Sequence, residues 1–183
     1  KSFFGDKANA GSDFGYDWLP IVDVVKDYSW LSLFYEMYKG TFKGFFAWGQ
    51  NPACSGANAV INLQAMANLD WMVNVNIFDN ETGSFWKGPG VNPASIKTEV
   101  FFLPAAVSVE KEGSITNSGR WMQWRYQGPK PLGNSLPEGQ IIIELGNKLK
   151  ALYVSDSGVF KDPILNLKWD YTTHGEYDPH KVA

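Results

Sequence analysis

Three loops in the sequence carry side chains suited to holding a phosphorylated ligand. In residues 49–56, GQNPACSG, Gly49 permits a close backbone approach and Gln50 and Asn51 present amide donors. A helix beginning near residues 56–58 would offer unpaired N–H groups to an anion. A plain strand-to-helix turn accounts for the same residues about as well. The spacing is not Gly-x-Gly-x-x-Gly, which disfavours a nicotinamide or flavin dinucleotide of the usual type. In the second loop Asn76 ends a short apolar run and is followed by Asn80, Glu81 and Thr82. It places a polar strand end beside the first, although Glu81 and Thr82 alone read as ordinary helix-start residues. The third, residues 110–120, combines two glycines, several donors and both charge signs, and Lys111 and Arg120 are able to neutralise a pyrophosphate. The competing account is a solvated hairpin loop.

Nothing in the chain assembles a catalytic set. A Ser–His–Asp arrangement needs a histidine, and His174 and His180 both sit in a loosely patterned tail, where a surface role is expected. Cys54 follows Ala53 in the first loop. A thiolate at a helix start would be reactive, but a small buried side chain is the favoured expectation. Glu110 and Glu112 are neighbouring loop acids of the solvated kind. Trp121 and Trp124 resemble a base-stacking platform only superficially, because alternating strand positions face different sides. Packing in a core or interface is the better account of them.

The elements that must position these loops are legible from periodicity. Ser29 caps a helix through about Lys39, with Leu31, Phe34, Tyr35 and Tyr38 at helical spacing. Residues 44–48 form a buried strand, 58–69 a helix and 72–75 a second strand, which together make one βαβ unit and imply a parallel sheet. Residues 81–86 carry a short helix, 99–103 a third strand, 121–126 a further strand, and 140–152 a helix with Ile142, Leu145, Leu149 and Leu152 on one stripe. Gly49–Asn51, Asn76 and Lys111 are thereby expected around one crevice, at strand ends where open α/β sheets bind ligands. The expected fold class is α/β, a Rossmann-like, mostly parallel sheet with helices on both faces, as one domain of a larger subunit. Residues 28–154 form that domain, 1–27 an irregular connection, and 155–183 an extended tail packing on a further domain.

Composition narrows the function. The chain has 183 residues, 15% aromatic, and a net charge of −3. It presents no basic field of the kind nucleic acid requires. One cysteine and two histidines exclude a disulfide framework and make a metal-ligand cluster unlikely to form from these residues. No apolar run is long enough to span a membrane. The chain begins at Lys1, without a methionine, which suggests a processed chain or an excerpt.

Four stretches carry a resemblance: GFFAWGQNPA at 44–53, NIFDNET at 76–82, IKTEVFFLPAA at 96–106 and EKEGSITNSGRWMQWR at 110–125. In order and spacing they resemble the molybdopterin-guanine-dinucleotide oxidoreductases and, within them, the large subunit of formate dehydrogenase. The FWK at 85–87 and the WMQWR ending point to the latter rather than to nitrate or polysulfide reductases, and the resemblance runs from about Asp13 to Leu152. It implies a parent enzyme that oxidises formate to CO2, or the reverse, at one Mo or W held by two pterin guanine dinucleotides, with an iron–sulfur cluster elsewhere in the subunit. Its metal-ligating selenocysteine or cysteine and the following histidine are not in this sequence. The resemblance therefore implies no catalytic and no metal-binding residue here, and an inactive segment when isolated.

What it does imply is a cofactor role. Gly49, Gln50, Asn51 and Pro52 match the loop that approaches the nucleotide, and Asn76, Ile77 and Thr82 match the second strand end. Lys111 matches a family lysine at the cofactor, Asn117 and Arg120 share its loop, and Glu138 falls where relatives carry an acid. Asn76 departs from the family, which usually has Asp there. A carboxylate accepts from both guanine N1–H and N2–H, whereas Asn offers one acceptor and turns a donor toward a donor. The implied partners are the remaining domains of the same subunit, an iron–sulfur electron-transfer subunit, and formate as the parent's substrate, with no nucleic acid and no membrane insertion. The implied setting is a bacterial or archaeal periplasm, with the cytoplasm as the alternative. The alternative from a different class is a stand-alone nucleotide-binding module without enzymatic activity.

Overall fold

The computed structural model describes residues 3–155, 158 and 160–182. Parts of the two expected flanking segments, residues 1–2, 156–157, 159 and 183, lie outside the described residues. The chain divides into two compact units: Val24–Val107 with Leu132–Ser135, and Lys1–Asp23 with Ser108–Pro131 and Leu136–Ala183. The span expected as one domain, 28–154, is therefore shared between them.

The first unit is the α/β one. Helix α1, Trp30–Tyr38, starts where Ser29 accepts from the Ser32 N–H, and Asp27 in turn holds Ser29. Strand β1, Gly44–Trp48, leads through the short helix α2, Pro52–Ser55, into α3, Ala59–Ala67, and then strand β2, Trp71–Asn76. Asn58 caps α3 by accepting from Ile61. Strand β3, Glu99–Pro104, follows a long connection that carries 3-10 turns at Phe85–Lys87 and Pro93–Ser95. The sheet order is β1-β2-β3, all parallel, with Phe45, Met72 and Val100 in one row and Phe46, Val73 and Phe101 in the next.

Period-two alternation decides which face is covered. Phe45, Met72 and Val100 pack with Phe34 and Met37 of α1, Ala65 and Met66 of α3, and Phe85 of the connection. On the opposite face Phe46 is 38%, Trp71 37% and Phe101 45% exposed, while Val75 is buried. The α/β class and the parallel sheet are as the sequence implies. Helices α1 and α3 contribute to the cluster that covers the Phe45–Met72–Val100 row. The sheet grows in a single direction, β1 to β2 to β3.

The second unit pairs an antiparallel hairpin with a helix. Strands β4, Gly113–Thr116, and β5, Met122–Arg125, form the hairpin, so the expected loop at 110–120 contains a strand. Helix α4, Glu138–Ser155, is longer than the periodicity indicates and packs with the short helix α5, Asp162–Leu165. The tail is not featureless. It forms the small hairpin β6, Thr172–Thr173, with β7, Glu176–Tyr177, and the Tyr177 N–H donates to the Gln140 side chain at 2.6 Å.

Candidate functional site

Because β1 and β2 are parallel and in register, with Trp48 beside Val75, the loops that follow them emerge at the same end of the sheet. The Gly49 N–H still donates to the Val75 carbonyl, at 2.8 Å. There the chain turns, with Gly49 at φ +63 and no atom within 4 Å of where a Cβ would stand. The glycine thus supplies a left-handed turn and an open backbone face at once.

The β2 loop holds the β1 loop in place. Asn76 Nδ2 and Asn80 Nδ2 both donate to the Gln50 carbonyl, at 3.3 and 3.2 Å. Asn51 Nδ2 donates to Glu81 Oε2 at 2.6 Å, and Asn51 Oδ1 accepts from the Thr82 hydroxyl at 2.8 Å. The same hydroxyl accepts from the Ala53 N–H at 3.1 Å. Asn62, buried on α3, donates to the Pro52 carbonyl at 2.9 Å. The outcome is a rigid loop whose outward groups are few. The Gln50 side chain is exposed, and among the described residues neither the Gln50 nor the Asn51 N–H has an acceptor. Adjacent unpaired N–H groups beside an open glycine suit a phosphate or another electron-rich group. This donor set fits the nucleotide arm of an organic cofactor.

Several sequence-predicted residues turn out to be braces. Thr82 and Pro52 are fully buried. Asn76 has its Oδ1 engaged by the Ile77 N–H at 2.9 Å and its Nδ2 on Gln50, so both ends of its amide serve the turn. Ile77 is 48% exposed. Cys54 is exposed, a correction to the small buried side chain expected there. Its thiol is pushed up by desolvation and then by the Glu81 charge, which disfavours the reactive thiolate as well. The Glu81 carboxyl is held below the usual range by its own backbone N–H and then by Asn51. Asp79 is likewise held down by the Ser84 hydroxyl at 2.6 Å and by Lys87 at 2.9 Å.

Lys111, Asn117, Arg120 and Glu138 belong to the other unit. Lys111 Nζ donates to both carboxylate oxygens of Glu138 at 2.5 Å, a pairing the sequence reading missed although it had named both residues. Glu138 lies in the first turn of α4 rather than in the link before it, where a carboxylate also complements the helix dipole. Asn117 Oδ1 accepts from Gly119 and its carbonyl from Arg120, so it closes the β4–β5 turn, with Arg120 itself at φ +60. Glu112 was also underestimated. It accepts from Trp124 Nε1 at 3.0 Å and lies 3.1 Å from His180 Nε2, whose ring is 4.6 Å from that of Trp124. Trp121 is 72% exposed and does not belong to a core. No group of three or more potential metal ligands occurs among the described residues, and no helix there is long and apolar enough to cross a membrane.

A one-way parallel sheet whose adjacent strand-end loops are laced together defines an open α/β unit, the class in which ligands meet the carboxyl ends of strands. Comparison with known proteins makes the assignment narrower. No family model matches the chain. It is 59% identical over 170 residues, 92% of its length, to the formate dehydrogenase subunit alpha of Megalodesulfovibrio gigas. It is 41% identical over 99% of its length to the formate dehydrogenase 2 subunit alpha (cytochrome c-553) of Nitratidesulfovibrio vulgaris, and 36% identical over its whole length to the formate dehydrogenase-O major subunit of Escherichia coli. The chain belongs to the formate dehydrogenase large-subunit family over the segment it spans, which is 17–18% of the length of these relatives.

Proposed function

We propose that this chain is a cofactor-binding part of a formate-oxidising catalytic subunit, and that its first unit holds the guanine nucleotide of a pterin cofactor. The observation that carries the reading is the fixed turn at Gly49–Asn51. Its carbonyl is taken by Asn76 and Asn80, and its N–H groups are left for a ligand. Gly49, Gln50 and Asn51 are the residues that would touch the nucleotide, while Pro52, Asn76 and Thr82 hold them. When bound, the pterin dithiolenes and their Mo or W supply the redox chemistry, and the protein supplies binding and orientation. Lys111 and Glu138 form a neutral pair within the second unit, with the third ammonium proton of Lys111 left to donate. Asn117 and Arg120 shape the β4–β5 turn.

The catalytic residues lie in other parts of the parent, so the isolated chain does not turn over formate. The sheet row of Phe46 and Phe101 is where the remaining polypeptide of the same subunit packs, because parallel sheets are covered on both faces. An iron–sulfur subunit receives the electrons, and the periplasm is the proposed location. The test is extraction of the complete purified subunit: pterin, guanine nucleotide and Mo or W support the reading. Guanine nucleotide without pterin or metal would instead make the chain part of a simple nucleotide-binding module.

A further inference from the structure

We propose that Asn74 and Asn80 are positioning residues of the cofactor loop, acting as a relay of amides from the sheet interior to the Gln50 carbonyl. Asn74 stands in the middle of β2, fully buried, on the row that otherwise carries Ala47 and Phe102. Its Nδ2 donates to Asn80 Oδ1 at 3.2 Å, while its Oδ1 has no partner among the described residues. A central strand buried against helices favours an apolar side chain, and an unsatisfied buried oxygen works against stability. The amide therefore stands where folding alone would not put it, and its partner among the described residues is Asn80.

Asn80 is oriented unambiguously. Its Oδ1 accepts from both Asn74 Nδ2 and the Gly83 N–H (3.0 Å), which leaves its Nδ2 to donate to the Gln50 carbonyl. The close fit needs Gly83, because a Cβ there would stand 2.4 Å from Asn74 Nδ2. The consequence for the loop follows from peptide geometry. No described peptide bond is cis, and in a trans peptide the C=O and the next N–H point in opposite directions. Anchoring the Gln50 carbonyl toward Asn80 and Asn76 turns the Asn51 N–H away from them, as a donor without an acceptor among the described residues. The relay thus aims a ligand donor from a residue that never touches the ligand.

The inference rests on the proposed cofactor role of the Gly49–Asn51 turn, and the experiment separates the two. The complete subunit is purified as wild type, Asn80→Asp and Asn74→Leu, and each is assayed for released guanine nucleotide after prolonged dialysis and for thermal unfolding without cofactor. Asn80→Asp keeps the acceptor for Gly83 and Asn74 but removes the donor to Gln50. Asn74→Leu keeps the shape and removes the relay's first donor. The relay predicts about five- to tenfold faster nucleotide loss in both, the worth of one oriented hydrogen bond, with unfolding unchanged or, for Asn74→Leu, raised. Full retention in both variants overturns the relay, as does a loss that merely follows lowered stability. Should Asn74→Leu not fold, Asn80→Asp alone decides by the same two readouts. Wild-type subunit devoid of guanine nucleotide would instead overturn the cofactor reading itself.

Discussion

The Thr82 hydroxyl lies between two parts of the neighbouring loop, donating to Asn51 Oδ1 at 2.8 Å and accepting from the Ala53 N–H at 3.1 Å. Since Thr82 and Ala53 are both buried, the Ala53 N–H loses its acceptor without gaining water when the hydroxyl is lost. Thr82→Val, which preserves shape, should destabilise the chain by about 1–3 kcal/mol, the usual penalty for stranding buried polar groups. Thr82→Ser should lose much less. Urea unfolding of the chain measures both, and equal stability of the valine variant would show that the hydroxyl does not brace the loop.

The clamp on the other end of Asn51 should depend on pH. The folded Glu81 carboxyl is lowered from 4.5, first by its own backbone N–H and then by Asn51. A depressed carboxylate contributes stability that is present above its unfolded value and is lost as pH falls through its folded value. The Asn51–Glu81 bond should therefore open at a lower pH than that at which an unperturbed glutamate titrates. An NMR titration of the Glu81 carboxyl and the Asn51 side-chain amide checks this. A shared midpoint at or above 4.5 would contradict the clamp.

These braces mark where the sequence stopped being legible. Ser29 as a cap, the βαβ order and the parallel sheet follow from capping chemistry and hydrophobic period, which are local signals. That Asn76 donates to the Gln50 carbonyl while accepting from Ile77 is not local, because it depends on the Gln50 carbonyl standing opposite. Strand β4 hid behind a polar, glycine-containing composition, whereas β5 was expected. Cys54 was misjudged from residue type alone, although it follows the buried Pro52 and Ala53 on α2 with its own side chain exposed.

Lys111 illustrates the same gap in charge bookkeeping. Its partner lies 27 residues away, at Glu138, with side chains 28% and 32% exposed. A pair this accessible should show a coupling of about 1 kcal/mol or less in a double-mutant cycle of Lys111→Met with Glu138→Gln. In the complete subunit Lys111→Met should weaken cofactor retention less than removal of an unpaired cation would, because Glu138 already neutralises it. Additive single effects on stability would show that the pair contributes nothing.

Phe101 tests the uncovered row of the sheet. It is 45% exposed in this chain, so Phe101→Lys should leave the chain's own stability within about 0.5 kcal/mol. In the complete subunit the same change should lower the unfolding temperature, because the lysine would be buried against the remaining polypeptide. Unchanged stability in both settings would leave that row facing water in the parent.

Backbone hydrogen exchange at Gln50 and Asn51 tests the cofactor claim most directly. The complete subunit is compared with and without its cofactor, and amide exchange is followed at single-residue resolution. The account predicts that the Gln50 and Asn51 N–H groups exchange slowly only when the cofactor is bound. The Gly49 N–H, already donated to Val75 at 2.8 Å, should change little. Identical exchange at Gln50 and Asn51 in the loaded and empty subunit would contradict the assignment of this turn to the nucleotide.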